Sequence, residues 1–158
     1  MREGGRIPQK GMKLTIRPAN EADWPLWAAL LAKLHPDQCA ADFEEELAIL
    51  TVLPDPYVCF LSFASSGAGM IDARVRNYVE GAPDLRAAYI EDLWVEPEYR
   101  RSGVAKLLLN AVESWARDEG MIWLGSDTPP DYLESQEWHR AVGFDVVERL
   151  IVFGKPLA

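Results

Sequence analysis

Residues 100–105 read Arg-Arg-Ser-Gly-Val-Ala and carry the most specific chemistry in the chain. An apolar run ends at Val95, a loop holding Pro97 follows, and the six residues then lead straight into a helical pattern. Small residues let a backbone approach a ligand closely. The first N–H groups of a helix lack intrahelical partners and point outward, with the positive end of the helix dipole behind them. Arg100 and Arg101 add charge. Such an opening suits a pyrophosphate. It lacks the spacing and the Lys-Ser/Thr ending of a Walker A loop. It is not a dinucleotide-binding turn either, because it has a single glycine and no early parallel βαβ unit before it. The competing reading is a plain helix start with two solvated arginines.

Holding that turn in place requires a strand before it and a helix after it. Ala88–Val95 is apolar enough for the strand, and Val104, Leu107, Leu108, Ala111, Val112 and Trp115 repeat at helical spacing until Gly120. Upstream, Lys13–Arg17 alternates as a short strand and Pro18 ends it. Asn20 and Asp23 open a helix carrying Trp24, Trp27, Leu30, Leu31 and Leu34, broken at His35-Pro36. A second helix is expected over Asp37–Leu50. Tyr57–Phe63 and Met70–Val79 form a hairpin around Ser65–Gly67. After the long helix come a strand over Met121–Gly125, a helix over Asp131–Val142 and a final strand or hairpin over Phe144–Phe153. The order implies an α/β domain with a mixed sheet.

The length of 158 residues fits one domain. Residues 1–11 are expected to be a polar, flexible leader, and 12–158 the single folded domain. Sixteen Lys and Arg against 25 Asp and Glu give a net charge of −9. That balance disfavours a nucleic-acid partner and favours a cationic one. Cys39 and Cys59 make neither a disulfide scaffold nor a zinc spacing, and His35 and His139 fit no metal motif, so no metal is expected. No signal-peptide pattern and no run of about 18 apolar residues occurs, which implies a cytoplasmic protein without a membrane partner.

The pattern Arg100-x-x-Gly103-x-Ala105 resembles the acetyl-CoA-binding motif of the GNAT N-acetyltransferase superfamily. Tyr89–Val95 resembles the superfamily's fourth strand, and Trp138–Phe144 its last helix and Gly-Phe turn. The likeness spans roughly residues 12–155. Within it, Tyr89–Val95, Arg100–Ala105, Gly125–Asp127 and His139–Phe144 are similar to the aminoglycoside 6′-N-acetyltransferases. The resemblance implies a GNAT fold: a mixed, mostly antiparallel sheet with splayed fourth and fifth strands, flanked by about four helices. It implies acetyl-CoA as cosubstrate, its pantetheine arm pairing with the backbone of Leu93, Trp94 and Val95. Its pyrophosphate would lie on Arg100, Arg101, Ser102, Gly103, Val104, Ala105 and Lys106. Tyr132 stands near the place of a cofactor-touching Asn, and His139 at the place of a thiolate-protonating Tyr, both departures from the usual pattern. Relatives are often dimers, and Leu150–Phe153 is an apolar contact surface for a homodimer.

Acetyl transfer to an amine needs a neutral amine, a polarised thioester and a stabilised thiolate. The carboxylates available are Glu91, Asp92, Asp127 and Glu148. Glu91 and Asp92 are strand neighbours, so only one is expected to face the cleft, and the resemblance favours Glu91. Asp127 is the favoured amine binder and a possible base, Glu148 a contact for a second amine, and His139 a possible acid. By similarity, His35 and Gln38 wall the acceptor site, joined by Tyr78 on the third strand. The expected activity is therefore acetylation of an aminoglycoside 6′-amine, an antibiotic-resistance reaction. The alternatives are a GNAT enzyme for another polyamine or a protein amine, and an acetyl-CoA-binding module without turnover.

Overall fold

The computed structural model describes residues 13–157, so the expected leader over 1–11 lies outside the described residues. The chain runs β1 (Thr15–Pro18), α1 (Trp24–Leu34), α2 (Ala40–Leu50), β2 (Tyr57–Phe63), β3 (Gly67–Arg76), β4 (Ala87–Val95), α3 (Val104–Asp118), β5 (Leu124–Gly125) and α4 (Leu133–Ala141). The strands form one sheet in sequence order. The first four pair antiparallel, and β5 joins β4 in parallel.

Local sequence explains most of these elements. Asn20 accepts the Ala22 N–H at 2.9 Å and Asp23 accepts the Asn20 N–H at 2.9 Å, a reciprocal cap before α1. Arg17 braces the same Asp23 from the end of β1, at 2.6 and 2.7 Å. On one sheet face, Trp27, Leu30, Leu31, Phe43 and Leu47 of α1 and α2 pack against Leu61 and Met70. On the other, Val104, Leu108, Leu109 and Val112 of α3 cover Ile71, Ala73, Ile90 and Val95. Truncating a fully buried leucine such as Leu108 to alanine should cost about 2–5 kcal/mol.

Two features position the site. β4 and β5 pair only at Ala88↔Leu124 and Tyr89↔Gly125, so from Ile90 onward β4 has no neighbour on that side. The β3–β4 register also slips: Asp72 faces Asp92 while Ala73 faces Ile90, leaving Glu91 as an extra, bulged residue.

Several expected elements come out shorter, and one is absent. The strand over Met121–Gly125 contracts to Leu124–Gly125, since only these residues find a ladder partner. β3 ends at Arg76, which puts Tyr78 in a loop rather than on the strand. Phe144–Phe153 forms no strand. Its apolar side chains lie in solvent, with Ile151, Val152 and Phe153 82%, 89% and 88% exposed. A strand requires an edge to pair with, and this segment finds none within its own described chain.

Candidate active site

A 3-10 turn at Pro97–Tyr99 leads from β4 towards α3. Arg101 (φ 60°) and Gly103 (φ 88°) both take the left-handed conformation, and the helix begins at Val104. The first ladder bond is Leu107 N–H to Gly103 O at 3.1 Å, which leaves the N–H groups of Val104, Ala105 and Lys106 directed out of the helix start. A Cβ on Gly103 would meet nothing within 4 Å, so only backbone conformation and the open space in front of the turn argue for glycine. The Arg100 side chain turns back instead of joining the turn. Its Nε donates to Val95 O at 3.0 Å, and its guanidinium lies 4.8 Å from the Trp94 ring centre. Ser102 Oγ donates to Tyr99 O, which closes the loop on itself.

Leu93, Trp94 and Val95 occupy the stretch of β4 that β5 leaves unpaired. This row of main-chain groups and the outward N–H groups of α3 lie on either side of one short loop. Together they fit an extended ligand that ends in a diphosphate. Among the described residues no group of His, Cys, Asp and Glu is arranged to hold a metal ion.

Asp127 lies just past β5, beside the gap. The Tyr89 hydroxyl donates to Asp127 Oδ1 at 2.7 Å. Burial, and then this bond to a carboxylate, push the phenol well above its ordinary pKa, so it remains a donor. The guanidinium of Arg76 lies 3.6 Å from the Tyr89 ring centre and pairs with Glu91 at 2.9 and 2.5 Å. Burial works most strongly against the Arg76 charge, but the bond to Glu91 and the surrounding negative charge of Glu91 and Asp127 together outweigh it and raise the pKa. Arg74 stands 3.9 Å from the same carboxylate. Glu91 is thus paired with two arginines, whereas Asp127 takes its hydrogen bond from a neutral donor and feels the Arg76 charge only at longer range.

Asp92 was expected to point away from Glu91, and the bulge overturns that expectation. Asp92 pairs with His35 Nε2 at 2.6 Å, at the end of α1. Glu91 reaches Arg74 and Arg76, which share the β3 face of Asp72, and Asp72 accepts from Trp27 of α1. Both acids therefore lie on the α1–α2 side, because the extra residue breaks the alternation that a regular strand imposes. Asp72 itself is 1% exposed. Burial first, and the nearby Asp92 charge second, push its carboxyl well above the usual range.

His139 lies on α4, edge-on to Trp138 and Phe144. Its Nδ1 lies 2.7 Å from Ser135 O, so that nitrogen carries the proton, and Nε2 accepts from Ser126 Oγ at 3.0 Å. Through Ser126 it adjoins Asp127. His35 is half-buried at the end of α1 beside Asp92, and Gln38 is exposed in the α1–α2 loop. Tyr78, 68% exposed, and Tyr132, 60% exposed at the start of α4, touch none of these groups through a hydrogen bond. Glu148 is exposed in the C-terminal segment. Sequence reasoning missed Tyr89, Arg76, Ser126 and Asp72. Tyr89 stood in the run that carried the resemblance, but as a strand residue with no assigned role.

A cavity of about 590 Å³ opens at β5, lined by residues that include Val79, Tyr89, Arg117, Trp123, Ser126 and Phe144. No residue from 93 to 106 lines it, but Tyr89, Gly125 and Ser126, at the point where β4 and β5 part, do.

Residues 14–144 match the acetyltransferase (GNAT) family. The chain is 38% identical to an aminoglycoside N(6′)-acetyltransferase type 1 of Stenotrophomonas maltophilia, covering 90% of this chain and 94% of that one. It is 35% identical to the Salmonella enteritidis protein of the same name, over 90% and 99%. Its fold matches the crystal structure of the aminoglycoside antibiotic 6′-N-acetyltransferase AAC(6′)-Ih from Acinetobacter baumannii, with a TM-score of 0.83 and 31% identity over 92% of this chain and 100% of that one. It also matches AAC(6′)-Iy in complex with a bisubstrate analogue, CoA-S-monomethyl-acetylneamine, with a TM-score of 0.85 and 29% identity over 92% and 99%.

Proposed function

The chain belongs to the GNAT acetyltransferase family, and from that premise we propose that it transfers the acetyl group of acetyl-CoA to the 6′-amine of an aminoglycoside. The observation that carries the reading is Asp127: a carboxylate that forms no ion pair among the described residues, held by the Tyr89 hydroxyl beside the unpaired stretch of β4. The N–H groups of Val104, Ala105 and Lys106 hold the diphosphate, and the backbone of Leu93–Val95 lines the pantetheine arm. Bound acetyl-CoA supplies an activated thioester. A backbone N–H near Val95 polarises its carbonyl. Asp127 binds the acceptor ammonium and takes its proton, directly or through one water, so that a neutral amine attacks. The Ser126 hydroxyl, tied to His139 Nε2, can turn to hydrogen-bond the departing thiolate, which takes up through solvent the proton that the amine has lost to Asp127. Asp92 and His35 form the acceptor wall in place of Glu91 alone.

Charge supports a polycationic acceptor. The chain carries −9 overall. Acetyl-CoA use favours a cytoplasmic location. No described helix is long and apolar enough to cross a membrane.

We read the protein as a homodimer built through its C-terminal segment. Leu150–Phe153 leaves its own domain with apolar side chains exposed, while β5 offers an edge paired on one side only, next to the large cavity. A second copy's segment can supply the missing strand, and Glu148 with it. Light scattering of the full chain should give twice the monomer mass, and Phe153→Glu should shift it towards monomer; a monomeric parent chain would end this reading.

The activity is tested by coenzyme A release with aminoglycosides that have or lack a 6′-amine, with spermidine and a peptide amine as controls. Release confined to 6′-amino compounds supports the proposal. Release with spermidine or the peptide alone would move the enzyme to another acceptor class, and coenzyme A binding without release would make it a binding module.

A further inference from the structure

Asp72 has no place in the mechanism above, yet it is the buried acid on which three other residues converge. Its Oδ1 accepts the Asp92 main-chain N–H at 2.9 Å, and its Oδ2 accepts from Tyr57 Oη at 2.7 Å and Trp27 Nε1 at 3.3 Å. The Trp27 and Tyr57 rings stack at 5.6 Å, so both donors are held by packing. The first of these bonds falls at the slip in register, where Asp92 opposes Asp72 and the next pair is Ala73 with Ile90. A bulge interrupts the ladder and leaves a main-chain group to be satisfied some other way. Here the side chain of the facing residue supplies the acceptor.

We propose that Asp72 is the positioning residue of the acceptor site: its carboxylate ties down the Asp92 N–H, stabilises the bulge at Glu91, and so brings Glu91 and Asp92 to the same face. The reasoning is stepwise. In a regular strand, alternation would turn one of the two acids towards the α3 side, where Ile71, Ala73 and Ile90 are packed against apolar side chains. The Asp92–His35 contact depends on the same turn of backbone. The bulge also lies at the point where β4 parts from β5, immediately after Tyr89↔Gly125. One buried side chain therefore couples the shape of the acceptor wall to the opening of the gap.

This inference rests on the proposed acetyl transfer for its kinetic consequence, but its structural part is independent of any acceptor. The test uses the full-length chain with Asp72→Ala and Asp72→Asn. Asparagine keeps an Oδ1 acceptor for Asp92, and the Tyr57 hydroxyl can rotate to accept from the new amide, at the loss of the longer Trp27 Nε1–H bond at 3.3 Å. Amide hydrogen exchange of Asp92, read by NMR without substrate, should quicken about tenfold or more in Asp72→Ala and stay near the parent value in Asp72→Asn. Aminoglycoside KM should rise in the alanine variant and recover in the asparagine variant, a rescue that general loss of packing would not produce. Unchanged Asp92 exchange in Asp72→Ala would overturn the proposal. If the alanine variant does not fold, Asp72→Asn decides alone: a folded protein with a fast-exchanging Asp92 amide would refute it. If the parent chain acetylates no aminoglycoside, the functional reading fails while the exchange measurement still judges the role of Asp72 in the bulge.

Discussion

The Tyr89 hydroxyl reaches Asp127 Oδ1 at 2.7 Å across the place where β4 and β5 separate. A carboxylate at a strand end, reached from the sequence as an amine binder, is thus held by a residue of the neighbouring strand. Asp127→Asn should lower kcat/KM for an aminoglycoside by about 10²–10⁴-fold, with acetyl-CoA affinity little changed. Tyr89→Phe should keep the ring beneath Arg76 and cost roughly tenfold, the worth of one charge-assisted hydrogen bond. Steady-state kinetics and coenzyme A titration separate the two effects; unaltered turnover in Asp127→Asn would remove that residue from the site.

Gly103 sits at φ 88° with open space where a Cβ would stand. Gly103→Val should therefore cost about 1–2 kcal/mol in backbone strain without any clash inside the protein. Coenzyme A binding should fall much further, because the new side chain enters the space in front of the helix start. Calorimetric affinity at a temperature where the variant is folded tests this, and a parent-like Kd would argue against a phosphate site at this turn.

Gly125 matters for the opposite reason. A Cβ there would overlap Val79 and stand 3.0 Å from Tyr89 Cδ2. Gly125→Ala should displace the Tyr89 ring and weaken its hold on Asp127. A lower Tm together with a kcat/KM loss similar to that of Tyr89→Phe is the expected result, and wild-type values for both would contradict it.

Raising ionic strength from about 0.05 to about 0.5 M should raise acceptor KM while leaving kcat nearly unchanged, since screening acts on the approach of a cation to exposed acids. An acceptor KM indifferent to salt would count against charge attraction at this mouth.

The acid limb of stability should carry the signature of Asp23. Its hydrogen bonds from Arg17, then from the Asn20 N–H, pull its carboxyl from 3.8 down to about 2. A depressed folded value means that the pair stabilises the fold above the unfolded pKa and loses that contribution as pH falls through the folded one. Urea midpoints should drop between about pH 4 and about pH 2, and less so in Asp23→Asn. Equal slopes in the two proteins would refute the assignment.

What the amino-acid sequence determined by itself is what neighbours along the chain decide. The apolar stripe of α3, the Asn20 cap and the left-handed glycine before Val104 each depend on residues within a turn or two of one another. The strand, turn and helix around Arg100–Ala105 and the place of Asp127 after a strand were legible for that reason. The bulge at Glu91 was not, because it arises from the register between two strands and from Asp72, 20 residues away, supplying an acceptor at the slip. The arginines that neutralise Glu91, the partnership of Asp92 with His35, and the bond between Tyr89 and Asp127 all join residues far apart in sequence. The C-terminal segment completes the contrast. Its composition reads as a strand, but a strand exists only where another offers an edge, and whether that edge lies in the same chain is decided by the tertiary structure.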